Sequence, residues 1–370
     1  MMDRPQLKYM EEAIRLAEKG RFSVSPNPMV GCVVVNEGSV VGRGSHLKAG
    51  MPHAEIIALK EAKERAGGSD VYVTLEPCCH HGRTGPCTEA LQKARVKRVI
   101  YARKDPNPKV AGRGAAVLKK NGIEVVSEFG KELASHLNIG FEKRMRVGRP
   151  KIRVKVAMSL DGNSALSSGE SKWITSEEAR LDVQRLRAEA CGVLTGIGTI
   201  LSDNPMLNVR DPSLETLGRQ PHRIILDTDL RLLGDEKVFN ENGQSYIFTA
   251  STNLDKRKEI EIMGAKVINC DILDGGLNLE MVLEKLANLQ INELLIEAGS
   301  QLTGSFLRQE LWDELIVFLA PKIIGCNGRK ALNIPSPNIL ADALQLDLRE
   351  ESVVGRDVKL VFGKKEEGIN

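Results

Sequence analysis

Aromatic residues are scarce in this 370-residue chain, at 4%, which argues against the stacking platforms that hold single-stranded nucleic acid. Long apolar runs are missing too. The uncharged stretch from Ala190 to Ser202 is too short and too glycine-rich to span a bilayer. No apolar core follows the first methionine, because Glu11, Glu12, Arg15, Glu18 and Lys19 interrupt it; no secretory leader is expected, and the cytoplasm is the expected location. The seven cysteines are odd in number, which, without a secretory signal, favours metal binding over a disulfide framework. Internal repeats and low-complexity tracts are absent. Net charge is only +3, but it is unevenly divided: residues 1–147 hold 25 Lys+Arg against 16 Asp+Glu, or +9, and the remainder carries −6. A basic first half suits a phosphate-bearing substrate or RNA, or is simply a solvated surface.

The length exceeds what one hydrophobic core usually supports, so two domains are expected. Gly148-Arg149-Pro150 punctuates the chain and places them at 1–147 and 148–370. In the first, the spacing of Leu7, Met10, Ile14 and Ala17 predicts a helix from Pro5 to Gly20. Val30 to Val35 and Val40 to Val41 read as a hairpin across Asn36-Glu37-Gly38-Ser39. Helices are expected over His53–Arg65, Thr88–Ala94 and Ala115–Lys120, and strands over Val71–Leu75, Val99–Ala102 and Ile123–Val126. In the second, strands are expected at Ile152–Ala157, Val193–Thr195, Arg223–Asp227, Tyr246–Thr249, Lys266–Asn269, Leu294–Glu297, Leu315–Ala320 and Val358–Phe362. Helices lie between them, clearest at Ser176–Ala190 and Leu279–Leu289. Such alternation predicts α/β domains with helix-covered sheets.

What is abundant is metal-binding chemistry in one tract. His53-Ala54-Glu55 is followed by Pro77-Cys78 and, nine positions on, by Cys87. One imidazole, two thiolates and a nearby carboxylate form the signature of a hydrolytic zinc deaminase. Three protein ligands leave a fourth position for water, which zinc activates near neutral pH. His53, Cys78 and Cys87 are therefore the candidate ligands of one zinc ion per chain, and Glu55 the proton shuttle. His53 and Glu55 fall in the first turn of a helix, and Cys78 is expected where a helix begins after strand Val71–Leu75. The usual signature places its two cysteines close together, whereas eight residues intervene here. Among these, Cys79, His80 and His81 are competent ligands as well, and a closed four-ligand site is the alternative. Such a site leaves Glu55 without a task. Cys32, inside an apolar run, reads as core; Cys191, Cys270 and Cys326 are isolated.

The long spacing is itself informative. Leu75-Glu76-Pro77-Cys78-Cys79-His80-His81-Gly82-Arg83-Thr84-Gly85-Pro86-Cys87 resembles the deaminase half of the bifunctional riboflavin-biosynthesis deaminase/reductases. So do Pro26-Asn27-Pro28-Met29-Val30-Gly31, Gly42-Arg43-Gly44-Ser45-His46 and Asp105-Pro106-Asn107-Pro108 with the following Gly112-Arg113-Gly114. Gly85 stands where the family usually has proline. The second half matches through Met158-Ser159-Leu160-Asp161-Gly162, Gly169-Glu170-Ser171-Lys172-Trp173-Ile174-Thr175, Leu186-Arg187-Ala188 and Thr195 to Pro205. The resemblance implies a cytidine-deaminase-like three-layer α/β/α domain followed by a dihydrofolate-reductase-like α/β domain. It implies deamination of 2,5-diamino-6-ribosylamino-4(3H)-pyrimidinone 5′-phosphate, then NADPH-dependent reduction of the ribosyl side chain to ribityl. It also implies Asn27 and His46 as pyrimidine contacts and Arg83 and Thr84 as candidates for the phosphate, a task suited to a guanidinium fork.

In the reductase half, Leu294 to Phe306 reads as strand, glycine turn and helix, and Val193–Thr195 followed by Gly196-Ile197-Gly198-Thr199 offers a second such turn. Both place helix N-termini where a pyrophosphate can dock, although neither has dinucleotide-fold glycine spacing and each is equally a plain turn. The resemblance implies that Ala157, Trp173, Thr199, Asp203, Thr228 and the stretch Gly299, Ser300, Gln301, Leu302, Thr303, Gly304 and Ser305 line the NADPH site. It implies Ser171, Arg187, Leu207, Arg210 and Glu297 as substrate contacts, with Arg187 and Arg210 for the phosphate and Glu297 for sugar hydroxyls. Trp173 reads equally as core, and Lys155 as a polar anchor. The expected partner is a small-molecule pyrimidine phosphate rather than nucleic acid or membrane, with self-association through the reductase domain. Two competing readings remain at this level. An RNA deaminase leaves the second half unexplained, and a zinc-stabilised binding module has no need of Glu55.

Overall fold

Alternation of apolar side chains along three strands organises the first half of the chain. In the computed structural model, which describes residues 6–81, 85–108, 110–239 and 242–365, the elements run α1 (Leu7–Glu18), β1 (Gly31–Asn36), β2 (Ser39–Ser45), α2 (Ala54–Ala62), β3 (Asp70–Leu75), α3 (Cys87–Lys93), β4 (Arg98–Arg103), α4 (Arg113–Lys120), β5 (Glu124–Val126) and α5 (Ile139–Val147). The sheet order is β2-β1-β3-β4-β5. Cys32 and Val34 of β1, Val71 and Val73 of β3, and Val99 and Tyr101 of β4 pack on one face, against α2, α3 and α4. Their neighbours Val33, Val35, Tyr72, Ile100 and Ala102 pack on the other, against α1. A period of two on a sheet buried on both faces gives three layers. The hairpin turn matches its sequence: Glu37 and Gly38 both have positive φ, 48° and 74°, as a two-residue turn between right-twisted strands requires.

The second half contains β6 (Lys151–Ser159), β7 (Asn163–Ala165), α6 (Glu177–Glu189), β8 (Gly192–Gly196), α7 (Ile197–Asp203), β9 (His222–Leu226), β10 (Ser245–Thr249), α8 (Leu254–Ile262), β11 (Lys266–Asn269), β12 (Ile272–Leu273), β13 (Gly276–Leu277), α9 (Leu279–Asn288), β14 (Glu293–Ile296), α10 (Ser300–Arg308), β15 (Glu314–Ala320), β16 (Arg329–Lys330), β17 (Leu346–Val354) and β18 (Asp357–Lys364). Nine strands form one sheet in the order β11-β10-β9-β8-β14-β6-β15-β18-β17. Strands from β11 to β15 in that order are parallel, and the last two pairings are antiparallel. The same two-sided alternation recurs: Ile224, Leu294 and Val317 face one core, and Ile225, Leu295 and Phe318 the other. Helices start where the sequence supplies caps: Ser176 Oγ accepts from Ala179 N at 3.3 Å and Asn278 Oδ1 from Met281 N at 3.1 Å. The chain divides into two compact units between Gly148 and Arg149.

Three local features differ from the sequence expectation. Helix α2 gives way after Ala62 to a 3-10 turn over Lys63–Ala66. No helix begins at Cys78; the helix starts at Cys87, so the second thiol, not the first, sits at a helix N-terminus. Helix α5 and strand β17 carried no clear periodic signal and are additional elements.

Candidate active sites

In the first unit, the position of α2 is set by what its neighbours lack. A Cβ on Gly42 would lie 2.1 Å from Ala58 O, and one on Gly44 1.9 Å from Ala54 O. Only glycine on β2 therefore lets the alanine face of α2 (Ala54, Ala58, Ala62) lie flush on the sheet. This seats the helix N-terminus, with His53 as its N-cap residue and Glu55 in its first turn, beside the loop after β3. There His53 Nδ1 lies 3.2 Å from Cys87 Sγ and 3.6 Å from Cys78 Sγ. The three ligand atoms all fall within 4.8 Å of one another, and among the described residues no other group of three or more metal-competent side chains converges in this way. Cys79, His80 and His81 are not members of it; His81 Nε2 instead faces Glu89 Oε1 at 3.4 Å.

Two soft sulfurs and one imidazole aimed at a common point match the donor set of zinc, with the fourth position open. The electrostatics agree with that fit. The Cys78 thiol is pulled down to about 4, first by its hydrogen bond with the Cys87 thiol and, against the effect of burial, by His53 as well. The Cys87 backbone N–H donates to Cys78 Sγ at 3.3 Å. Glu55 is buried, 3% exposed, and burial raises its carboxyl above the usual range. A buried carboxyl beside such a centre is the arrangement of a proton shuttle.

The predicted pyrimidine contacts adjoin this centre. Asn27 Nδ2 and His46 Nε2 are 2.9 Å apart, and the His46 ring meets the His53 ring edge-on at 5.1 Å. His46 Nδ1 lies 3.1 Å from Pro52 O; a carbonyl only accepts, so Nδ1 carries the proton and Nε2 accepts from Asn27. Burial lowers the His46 pKa, consistent with a neutral ring. Arg83 and Thr84 lie outside the described residues.

Sequence reasoning assigned no task to Glu76 or Asp105. Glu76 is 3% exposed and accepts from Gly112 N at 2.9 Å and Ala115 N at 3.0 Å. It caps α4 and fixes the chain immediately before Pro77-Cys78. Its place just ahead of the cysteine was the only available signal. Asp105 is pushed up to about 7, chiefly by burial, while the Asn107 N–H works the other way.

In the second unit, a cleft of about 1320 Å³ lies at the C-terminal ends of the parallel strands, where ligands of open α/β sheets bind. Nine lysines and arginines but only three acids line it. The turns after β8 and β14 meet there: a Cβ on Gly299 would lie 3.9 Å from Thr199 Oγ1. Two adjacent βα turns in a cationic cleft suit a dinucleotide's phosphates. Ala157, Trp173, Thr199, Asp203, Thr228, Gly299, Ser300, Gln301, Leu302 and Ser305 line it, as do Ser171, Arg187, Leu207, Arg210 and Glu297. Thr303 and Gly304 do not: Thr303 is 1% exposed, and a Cβ on Gly304 would lie 2.1 Å from Asn333 O, so both serve the packing of α10. Trp173 is 62% exposed rather than core, with the Arg180 guanidinium 4.4 Å from its ring centre.

Arg187 is not free for a phosphate. Its Nε and Nη2 hold Glu297 Oε1 and Oε2 at 2.6 and 3.1 Å, and its Nη1 donates to Asn208 O at 3.2 Å. Lys155 Nζ adds a contact of 3.2 Å to Glu297 Oε2. Burial alone would raise the Glu297 carboxyl, but Arg187 and Lys155 outweigh it and hold it at about 2. Arg210, exposed at the rim, donates Nη1 to Asn208 Oδ1 at 2.6 Å.

Comparison with known proteins assigns both units. Residues 3–103 match the cytidine and deoxycytidylate deaminase zinc-binding region, and residues 150–360 match the RibD C-terminal domain. The riboflavin biosynthesis protein RibD of Escherichia coli (strain K12) is 45% identical, covering 95% of this chain and 97% of its own; that of Aquifex aeolicus is 42% identical over 96% and 97%. The structure of Acinetobacter baumannii RibD superposes with a TM-score of 0.90 at 41% identity, over 97% of this chain and 98% of that one. The Thermotoga maritima diaminohydroxyphosphoribosylaminopyrimidine deaminase/5-amino-6-(5-phosphoribosylamino)uracil reductase gives 0.83 at 32%, with the same coverage. With a deaminase-type centre in one unit and a cationic cleft in the other, the chain belongs to the RibD family of riboflavin-biosynthesis proteins, bifunctional enzymes with a deaminase domain and a reductase domain.

Proposed function

We propose that the first unit hydrolyses an amino group of 2,5-diamino-6-ribosylamino-4(3H)-pyrimidinone 5′-phosphate, releasing ammonia, and that the second reduces the ribosyl side chain of the product to ribityl with NADPH. The observation that carries this reading is the convergence of His53 Nδ1, Cys78 Sγ and Cys87 Sγ beside the buried Glu55. These three side chains would hold zinc, which when bound supplies the Lewis acidity that makes water nucleophilic near neutral pH. Glu55 takes one proton of the attacking water and delivers it to the ring nitrogen, then moves the remaining hydroxyl proton of the adduct to the departing amine. Asn27 and His46 position the pyrimidine; with Nε2 of His46 occupied by Asn27, the pair acts as a unit.

In the cleft, NADPH supplies the hydride, and the protein supplies orientation and a proton. Hydride addition at the ribosyl C1′ breaks that carbon's bond to the ring oxygen and leaves an alkoxide on the freed oxygen. Lys155, an ammonium held against Glu297, is placed to protonate it, while Arg187 and Lys155 fix Glu297 for the sugar hydroxyls. Arg210 at the rim takes the substrate phosphate. Self-association is assigned to the reductase unit, whose outermost strand β17 exposes Leu346, Leu348 and Val353. No helix among the described residues is long and apolar enough to cross a membrane.

The reading is tested by supplying the diaminopyrimidinone phosphate with and without NADPH and following ammonia release and NADPH oxidation. Ammonia release without NADPH, and oxidation only after deamination, are expected. Ammonia release from RNA with none from the pyrimidine would sink the proposal.

A further inference from the structure

The order of strands gives the cleft a direction. β9 lies beside β8 on the side away from β14 and β6. The paired turns at Thr199 and Gly299 occupy the middle, and the Lys155–Glu297–Arg187 cluster lies toward β6. A dinucleotide with its phosphates on the paired turns and its nicotinamide at that cluster must run its adenosine the other way, over the end of β9. Thr228, Arg231 and Lys237, which follow β9 in the chain, all line the cleft.

Arg231 is built to present a charge. Its Nε lies 3.6 Å from Asp227 Oδ1, and the side chain is 53% exposed. Asp227 is fully buried and its Oδ2 accepts from Leu232 N at 3.0 Å. The acid is thus turned into its own loop, where it steadies the guanidinium from behind and stays out of the cleft. The terminal nitrogens of Arg231 have no partner among the described residues. Lys237 is tied in from the backbone, its N–H donating to Asn204 Oδ1 at 2.9 Å at the end of α7, while the residue, exposed, lines the same cleft. A guanidinium fork, an ammonium and a threonine hydroxyl on the segment after β9, all lining the cleft, match a phosphate monoester far better than a ribose hydroxyl.

We propose that Arg231, assisted by Lys237, binds the 2′-phosphate of the cofactor and so selects NADPH over NADH; this rests on the reductase reading above. The test is calorimetric titration of the full-length enzyme with NADPH, NADH, 2′,5′-ADP and 5′-AMP. Wild type is expected to bind each 2′-phosphorylated ligand more tightly than its unphosphorylated counterpart. Arg231→Gln should weaken NADPH and 2′,5′-ADP by roughly 10- to 100-fold while leaving NADH and 5′-AMP within about twofold, with Arg231→Lys intermediate. Lys237→Gln should act in the same sense but less. Equal loss for phosphorylated and unphosphorylated ligands, or no loss at all, would overturn the assignment while leaving the reductase reading intact. Failure of wild type to bind either nicotinamide cofactor would overturn both.

Discussion

Arg187 and Glu297, 110 residues apart in sequence, are joined by two hydrogen bonds of 2.6 and 3.1 Å inside the reductase cleft. The pair makes Glu297 the centre of the site. Replacing it by glutamine keeps the shape but strips the charge that holds Arg187 and Lys155. Reduction of pre-deaminated substrate should fall by roughly 10²-fold or more, whereas ammonia release is unchanged. Parallel assays of the two half-reactions check this.

The same carboxylate carries a pH signature. Its pKa of about 2 in the folded protein lies below the value of about 4.3 for an unperturbed glutamate. A depressed acid stabilises the fold above its unfolded pKa, and this contribution is lost as pH falls through the window from about 4.3 to 2. Thermal melts of the reductase transition should drop across that window, and Glu297→Gln should show a flatter profile there. An unchanged slope in the variant would contradict the assignment.

Glu55 is expected to move protons without touching the metal. Glu55→Gln should retain one zinc per chain and full reduction of pre-deaminated substrate, while losing roughly 10²- to 10⁴-fold in deamination. Loss of zinc in elemental analysis would instead make Glu55 a ligand.

The ligand set makes a sharper test of the long cysteine spacing. Cys87→Ser and His53→Ala should lose zinc and deamination together, whereas Cys79→Ser should keep both. Chelation should abolish ammonia release and leave NADPH oxidation by pre-deaminated substrate untouched, since the two centres sit in separate units.

Gly44→Ala should displace α2, because the added methyl meets Ala54 O at 1.9 Å. Destabilisation of roughly 1–3 kcal/mol is expected, together with weakened zinc binding, since His53 and Glu55 ride on that helix. Unfolding curves and zinc titration test both.

These sites were unequally legible in the sequence. The zinc ligands stand in a local motif, and strands such as Val71–Leu75 and Leu315–Ala320 are short, mainly apolar runs whose length points to strand. Strand β17, Leu-Asp-Leu-Arg-Glu-Glu-Ser-Val-Val, lies at the sheet edge with most side chains exposed, so no alternation marks it. The helix expected over Thr88–Ala94 is present from Cys87, whereas the stretch after Cys78 carries no helix of its own. Nor does any local pattern reveal that Arg187 spends its donors on Glu297, because only the return of β14 to the side of β6, where it packs against α6, brings them together.

That return has a consequence for biosynthesis. In the first unit each strand pairs with partners made within the same 126 residues, in the order β2-β1-β3-β4-β5, so this sheet can close while the ribosome is still translating the second unit. The second sheet is different. Its founding strand β6 has neither neighbour until β14 and β15 emerge, more than 130 residues later. Such non-local pairing is slow and leaves unpaired edges exposed in the meantime. The nascent chain thus carries a finished deaminase on an unfinished reductase, and truncation before residue 293 is expected to spare the one and abolish the other.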